Sequence, residues 1–138
     1  MKKGFTLMEL LIVIALIGIL VTMGVASYST AQIKSRDARR KSDMKTIQNG
    51  FEQYYSENNG DYPVDNTVES DTSYFPGGFP KDPKPAPYVQ YNWTPDASGA
   101  TYCFCATLET AGGGNASSCN DIGTCDSGCT LYCVGNIQ

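Results

Sequence analysis

Gly4-Phe5-Thr6-Leu7-Met8-Glu9-Leu10-Leu11-Ile12-Val13-Ile14 opens an apolar run that continues to about Tyr28. Between Phe5 and Ser27 the one ionisable side chain is Glu9. A carboxylate at that depth in hydrocarbon costs ~2.5 kcal/mol or more. Glu9 is therefore expected to require a cationic or hydrogen-bonding partner that the isolated helix lacks. Phe5 to Tyr28 is 24 residues, roughly 36 Å as a helix and enough to cross a bilayer. A secretory signal would carry a longer basic leader, a shorter apolar core and a small-x-small cut site. Here the leader is only Met1-Lys2-Lys3-Gly4, so a retained helix is expected.

Beyond Tyr28 no Pro or Gly interrupts the chain from Ser27 to Gln48. Apolar residues recur at Ile33, Met44, Ile47, Phe51, Tyr54 and Tyr55, with three- and four-residue steps in the second half, the spacing of an amphipathic helix. Asp37 with Lys41 and Lys41 with Lys45 form i,i+4 pairs on its polar face. Gly50 weakens this helix by up to ~1 kcal/mol relative to Ala. Asn58-Asn59-Gly60 supplies the stop, because Asn and Gly accept the left-handed conformation past a helix end, and Pro63 follows. The result is one helix of some fifty residues, half suited to lipid and half amphipathic.

Charge is segregated along the 138 residues. Lys34, Arg36, Arg39, Arg40, Lys41 and Lys45 outnumber Asp37 and Asp43, which reads as a membrane-surface or partner-facing block. From Thr46 onward Lys81 and Lys84 face eleven Asp and Glu, a solvated acidic exterior. That outer part has too few cations to neutralise nucleic-acid phosphates.

Residues 61–87 hold six of the seven prolines and are expected to form an irregular connection. Tyr88–Trp93 alternates aromatic or apolar with polar side chains, as a half-buried strand does, and Thr94–Gly99 reads as a turn. Thr101–Leu108 is a second strand, with Tyr102, Phe104, Ala106 and Leu108 on one face and Cys103 and Cys105 on the other. A polar loop then runs from Ala111 to Gly128, and Cys129–Val134 is a third short strand. Tyr54, Tyr55, Tyr62, Tyr88, Tyr91 and Trp93 are assigned to a thin core.

Cys103, Cys105, Cys119, Cys125, Cys129 and Cys133 all lie beyond residue 102. An even number in a short, loop-rich segment tied to a membrane anchor indicates disulfides in an oxidising compartment. Six cysteines allow fifteen pairings; Cys103 and Cys105, sharing a strand face, are each expected to reach the 119–133 segment. A tethered zinc site is the competing reading, but structural zinc favours C-x2-C spacing, which these cysteines lack, and the chain has no His. Counting positive charges would place the Lys34–Lys45 side in the cytoplasm, whereas disulfides demand the opposite; the cysteines decide the orientation. No catalytic constellation or phosphate loop is present in the sequence, and no enzyme activity is expected. Asn92-Trp93-Thr94 and Asn115-Ala116-Ser117 match the N-glycosylation pattern and are read as incidental.

Lys3-Gly4-Phe5-Thr6-Leu7-Met8-Glu9-Leu10, followed by an apolar helix, resembles the class III signal of type IV prepilins and pseudopilins. The resemblance is specific over residues 3–28 and extends loosely, through the helix–loop–three-strand plan, to the whole chain. It implies a type IV pilin-like α+β fold, with one long N-terminal helix packed on a small antiparallel sheet and a disulfide-rich C-terminal region. The expected divisions are a leader (1–4), a transmembrane and filament-core helix (5–28), its amphipathic continuation (29–60), and the connection with the sheet (61–138). It implies cleavage between Gly4 and Phe5 by a prepilin peptidase, N-methylation of Phe5, and assembly through Phe5, Thr6 and Glu9, with Glu9 pairing the terminal amine of a neighbouring copy. The alternative for Glu9 is a carboxylate that snorkels to the interface.

The same resemblance implies a helical homo-oligomer, a membrane assembly platform and ATPase motor, no cofactor, and nucleic acid only as filament cargo. Localisation follows as a single-pass precursor in the inner membrane, then an extracellular filament, or a periplasmic one for a pseudopilin. Adhesion, motility or DNA uptake would follow for a pilus, and protein export for a type II secretion pseudopilin. Phe79-Pro80-Lys81-Asp82-Pro83 looks like the latter; the cysteine-rich C-terminal region favours the former. Gly18 matches a glycine near which family filaments unwind locally, with close packing of small residues as the alternative; Ala26 stands where many members carry proline. Asp121 and Asp126 are weak calcium candidates by analogy with the major secretion pseudopilin, and turn chemistry explains them equally well. A different class, an anchored domain that never polymerises, predicts monomers and a dispensable Glu9.

Overall fold

The computed structural model describes residues 4–84, 90–122 and 128–136. The chain divides into two compact units, Met1–Ile33 and Lys34–Gln138. One helix, α1 (Leu7–Glu57), is 51 residues long. The first unit consists of its opening part, where every described side chain from Phe5 to Tyr28 is exposed. Among the described residues, α1 is the one helix long and apolar enough to cross a membrane.

In the second unit the rest of α1 lays one stripe onto a core. Asp37, Arg40, Met44, Ile47 and Phe51 are all buried and step by three and four, the helical repeat of a single face. The helix stops where the left-handed residues were expected, with Asn59 at φ 60° and Gly60 at φ 87°, and the Gly60 N–H bonds the Tyr55 carbonyl at 3.1 Å.

Three antiparallel strands, β1 (Asn92–Pro95), β2 (Tyr102–Thr107) and β3 (Leu131–Gly135), form a sheet in the order β1-β2-β3. The period-two pattern of β2 holds. Tyr102, Phe104 and Ala106 enter the main apolar cluster with Met44, Ile47 and Phe51, while Cys103 and Cys105 join a second cluster on the opposite face. Phe51 lies at the junction of helix and sheet, its ring centroid 4.7 Å from Tyr102, 5.2 Å from Phe104 and 5.7 Å from Trp93. Tyr62 and Tyr91 are buried and Tyr54, Tyr55 and Trp93 pack against them, as expected; Tyr88 lies outside the described residues.

Strand boundaries require correction. β1 starts at Asn92 and takes in Thr94 and Pro95, whereas the sequence pattern places these two residues in a turn. Its register runs from Asn92 opposite Cys105 to Pro95 opposite Tyr102. Pro95 is tolerated because β1 pairs on one side only, where a missing N–H can face outward. The turn begins at Asp96, whose carboxylate accepts the Ser98 N–H at 3.1 Å. β3 begins two residues later than expected because β2 ends at Thr107, which sits opposite Leu131. The proline-rich connection contains a 3-10 turn, Asn66–Ser70, capped by Asp65, whose side chain accepts the Thr67 N–H at 2.9 Å. This turn seats Val68 in the core.

Asn115, the second glycosylation match, has a structural task. Its side-chain amide donates to the Cys133 carbonyl at 2.9 Å and accepts the Cys133 N–H at 2.7 Å, so it satisfies β3 as a neighbouring strand would.

Gly50 also has a packing reason. A Cβ there would stand 2.7 Å from two ring carbons of Phe75, and Phe75 is itself buried against Phe79 at 5.0 Å between centroids. Gly50→Ala would gain up to ~1 kcal/mol of helix propensity, but overpacking costs about 1–3 kcal/mol. The expected net result is a destabilised second unit, read as a lower urea midpoint in the full-length protein; an unchanged or higher midpoint would show that Phe75 yields freely.

Candidate functional site

At the amino-terminal motif, Thr6 precedes the first helical residue, Leu7. Its hydroxyl accepts the Glu9 N–H at 3.2 Å. In return Glu9 Oε2 accepts both the Thr6 N–H and the Thr6 hydroxyl at 2.9 Å. This is a reciprocal capping box, Thr-x-x-Glu, placed where the helix dipole also favours negative charge. The expectation that Glu9 lacks a partner within its own helix is therefore wrong: Thr6 provides one. The Thr-x-x-Glu spacing of a capping box is present in Thr6-Leu7-Met8-Glu9. All three bonds leave Glu9 Oε1 unused, and a carboxylate can accept further bonds. The capping box orients the acid and does not consume its capacity for a second donor.

Among the described residues, the side chains of the surrounding stretch of helix are exposed. Leu10, Leu11, Ile12, Val13, Ile14, Leu16, Ile17, Ile19, Leu20 and Val21 are all exposed and cover the whole circumference. A helix apolar all round belongs in lipid or among other helices. Gly4 and Gly18 are exposed, with nothing within 4 Å of where a Cβ would be. Phe5 is 79 % exposed. The structure thus gathers Phe5, Thr6 and Glu9 at the opening of the helix, with Gly18 about two and a half turns beyond Glu9.

A second polar site was not foreseen. The basic block after Tyr28 does not simply face membrane or partner, because Arg36 and Arg40 turn into their own unit. Arg40 is 0 % exposed. Its Nε and Nη2 donate to the two oxygens of Asp82 at 2.7 and 3.0 Å, and its Nη1 donates to Asp37 Oδ1 at 2.8 Å and Glu109 Oε1 at 2.9 Å. Arg36 holds Glu109 in a second two-pronged pair at 2.7 Å on both oxygens. Lys84 reaches Glu109 Oε2 at 3.2 Å. Asp37 further accepts the backbone N–H groups of Glu109 and Thr110, each at 2.9 Å. Three cations and three carboxylates thus pin the middle of α1 to the Lys81-Asp82-Pro83 bend and to the loop after β2.

The cluster predicts acid sensitivity. Burial would raise the Asp37 carboxyl, but the two backbone N–H groups and Arg40 hold it below its ordinary value. Burial acts the same way on Asp82 and is overcome by Arg40 and the Lys84 N–H. Arg36 above all, then Arg40 and Lys84, depress Glu109 despite its desolvation. Carboxyls with lowered folded pKa values stabilise the fold above their unfolded values near pH 4, and that stability is lost as pH falls through the folded values. The melting temperature of the full-length protein in detergent is expected to hold from neutral pH to about pH 5 and to fall steeply below about pH 4. A flat profile down to pH 2 would contradict the linkage.

The described cysteines are oxidised. Cys103 bridges Cys119 and Cys105 bridges Cys133, so each of the two β2 cysteines reaches the 119–133 segment. Cys129 is also disulfide-bonded, and Cys125 lies outside the described residues. Cys103, Cys105 and Cys119 do cluster closely enough to suit a metal, but sulfurs committed to bridges present no thiolates to zinc. Of the calcium candidates, Asp121 closes a short 3-10 turn, Cys119–Asp121, and Asp126 lies outside the described residues.

Comparison with known proteins places these features. Residues 1–25 match the prokaryotic N-terminal methylation motif. The chain is 34 % identical to the type IV major pilin protein PilA of Myxococcus xanthus (strain DK1622) over 56 residues, 41 % of this chain and 26 % of that protein. It is 30 % identical to the type II secretion system core protein G of Aeromonas hydrophila over 137 aligned residues, which cover 88 % of this chain and 91 % of that protein. No solved structure matches significantly.

Proposed function

Because this chain belongs to the type IV pilin and pseudopilin family, we propose that it is the precursor of a filament subunit, inserted in the cytoplasmic membrane through residues 5–28 and polymerised through that helix. The family is structural, not enzymatic. A prepilin peptidase cuts between Gly4 and Phe5 and methylates the new amine of Phe5. That amine then meets Glu9 of an adjacent copy, while Thr6 keeps the carboxylate oriented. A membrane platform and an ATPase motor add and remove subunits.

The observation that carries this reading is the exposed apolar opening part of α1, with its single acid held at the first turn. Lipid satisfies such a helix before assembly and neighbouring helices satisfy it afterwards. The disulfides suit the periplasm and the cell exterior alike; the cysteine-rich C-terminal region resembles pilins, so the leading reading is a type IV pilus-like surface filament serving adhesion, motility or DNA uptake. End-to-end similarity to a type II secretion core protein favours a second reading, a short periplasmic pseudopilus that drives export. Immunogold electron microscopy of intact cells separates them. Long external fibres carrying this chain are expected for the pilus; bare surfaces, with export lost when the chain is deleted, would overturn it in favour of the pseudopilus.

A further inference from the structure

The Cys103–Cys119 and Cys105–Cys133 bridges touch each other. Cys105 Sγ lies 3.6 Å from Cys103 Sγ and 3.6 Å from Cys119 Sγ, so its sulfur is in van der Waals contact with both halves of the other disulfide. Accessibility is unequal. Cys103, Cys119 and Cys133 all line one open groove of about 1000 Å³, but Cys103, Cys105 and Cys133 are 7 %, 4 % and 1 % exposed, whereas Cys119 is only half-buried. A thiolate must reach a disulfide sulfur to exchange with it. Of these four cysteines, Cys119 presents the most surface to an external reagent and Cys133 the least.

The geometry points to Cys119 as the entry site for an external thiol–disulfide carrier, with Cys105 as the hub that passes exchange to buried Cys133. In the oxidising direction, the Cys119 thiolate attacks a carrier disulfide, forming a mixed disulfide and releasing one carrier thiolate. The Cys105 thiolate attacks Cys119 Sγ, forming Cys105–Cys119 and releasing the second carrier thiolate. The Cys133 thiolate then attacks Cys105 Sγ, forming Cys105–Cys133 and returning Cys119 as thiolate. A second carrier disulfide oxidises Cys119 again, and the Cys103 thiolate resolves it to Cys103–Cys119. Four thiols become two bridges, and two carrier disulfides are reduced.

Register explains why the relay ends where it does. Cys105 and Cys133 are direct cross-strand partners in the β2–β3 pairing with Cα atoms 4.1 Å apart, so sheet formation favours that bridge over Cys105–Cys119. The partner is defined by its chemistry as a protein or small molecule with an exposed reactive disulfide.

The test uses the full-length protein. In Cys103→Ser, Cys119 keeps its thiol beside the Cys105–Cys133 bridge. Alkylation with N-ethylmaleimide after acid quench, followed by peptide mapping, is expected to show two bridged species, Cys105–Cys133 and Cys105–Cys119, with the free thiol shared between Cys119 and Cys133. A single Cys105–Cys133 bridge with alkylation confined to Cys119 would overturn the relay. Should the variant misfold, wild type treated briefly with limiting dithiothreitol gives the same reading. A transient Cys105–Cys119 bridge supports the relay; only native bridges and fully reduced pairs refute it.

Discussion

Glu9→Ala in the full-length precursor is expected to abolish filaments while leaving membrane insertion and folding of the second unit intact. The acid is exposed in an exposed stretch of helix and belongs to the first unit, so its loss is expected to leave the sheet region folded. In the assembled state it would face a neighbour's amine in an apolar setting, where an unpaired buried charge costs about 3–5 kcal/mol. Losing about 3 kcal/mol at each subunit joint weakens each addition by roughly a hundredfold, enough to empty the polymer. Thr6→Ala separates the two roles of the motif. It removes the capping hydroxyl, worth about 1 kcal/mol, but leaves the acid in place, so fibre yield should drop less than for Glu9→Ala. Counting fibres by electron microscopy at matched membrane levels of the chain reads both; normal fibres from Glu9→Ala would mean that the charge pair does not drive assembly.

Arg40→Met is expected to be the most damaging single change in the second unit. It strands Asp37 and Asp82, which have only 8 % and 9 % of their side-chain surfaces exposed, and weakens the hold on Glu109. Removing one partner of a buried ionic set costs about 3–5 kcal/mol, whereas replacing the set by apolar groups of similar volume can be nearly neutral. The urea midpoint should therefore collapse in Arg40→Met and recover in part when Asp82→Leu is added. A midpoint within about 1 kcal/mol of wild type for Arg40→Met would show that the cluster is hydrated enough to do without its centre. The pairs Arg40–Asp82 and Arg36–Glu109 tie α1 to segments 42 and 73 residues away.

Much of this fold was legible in the chain, and the reasons are local. The helix announced itself through three- and four-residue steps at Met44, Ile47 and Phe51, and its end through Asn59 and Gly60. β2 was readable because its alternation puts aromatics on one face and cysteines on the other. What escaped was where charge takes over the role of apolar residues. Continuing the buried stripe backward from Met44 by four and three lands on Arg40 and Asp37, and hydropathy alone marks those positions as solvent-facing. Their partners, Asp82 and Glu109, lie 42 and 69 residues from Arg40, a separation that no local pattern encodes. The β1 boundary slipped because Pro95 looks like a strand breaker, and an edge position, which only the sheet order reveals, removes the objection.

The amino-terminal motif shows the opposite failure. Thr6-x-x-Glu9 carried its capping partner in plain view, but the cost of a carboxylate among lipids drew attention to a partner on another chain. The two fit together, because Thr6 occupies one oxygen of Glu9 and the acid can still accept a neighbour's amine. The disulfide pairing had a different obstacle. Facing β2 cysteines are visible from alternation, but which residue of the 119–133 segment meets each depends on the register that sets Cys105 against Cys133.

On the proposed reading, removal of the first four residues would create the amine on which polymerisation through Glu9 depends, and the intact mass of subunits taken from purified native fibres would read that event directly. The predicted species starts at Phe5, carries one added methyl group and lacks the six hydrogens given up by six oxidised cysteines. Fibres built from chains that still begin Met1-Lys2-Lys3-Gly4 would contradict it.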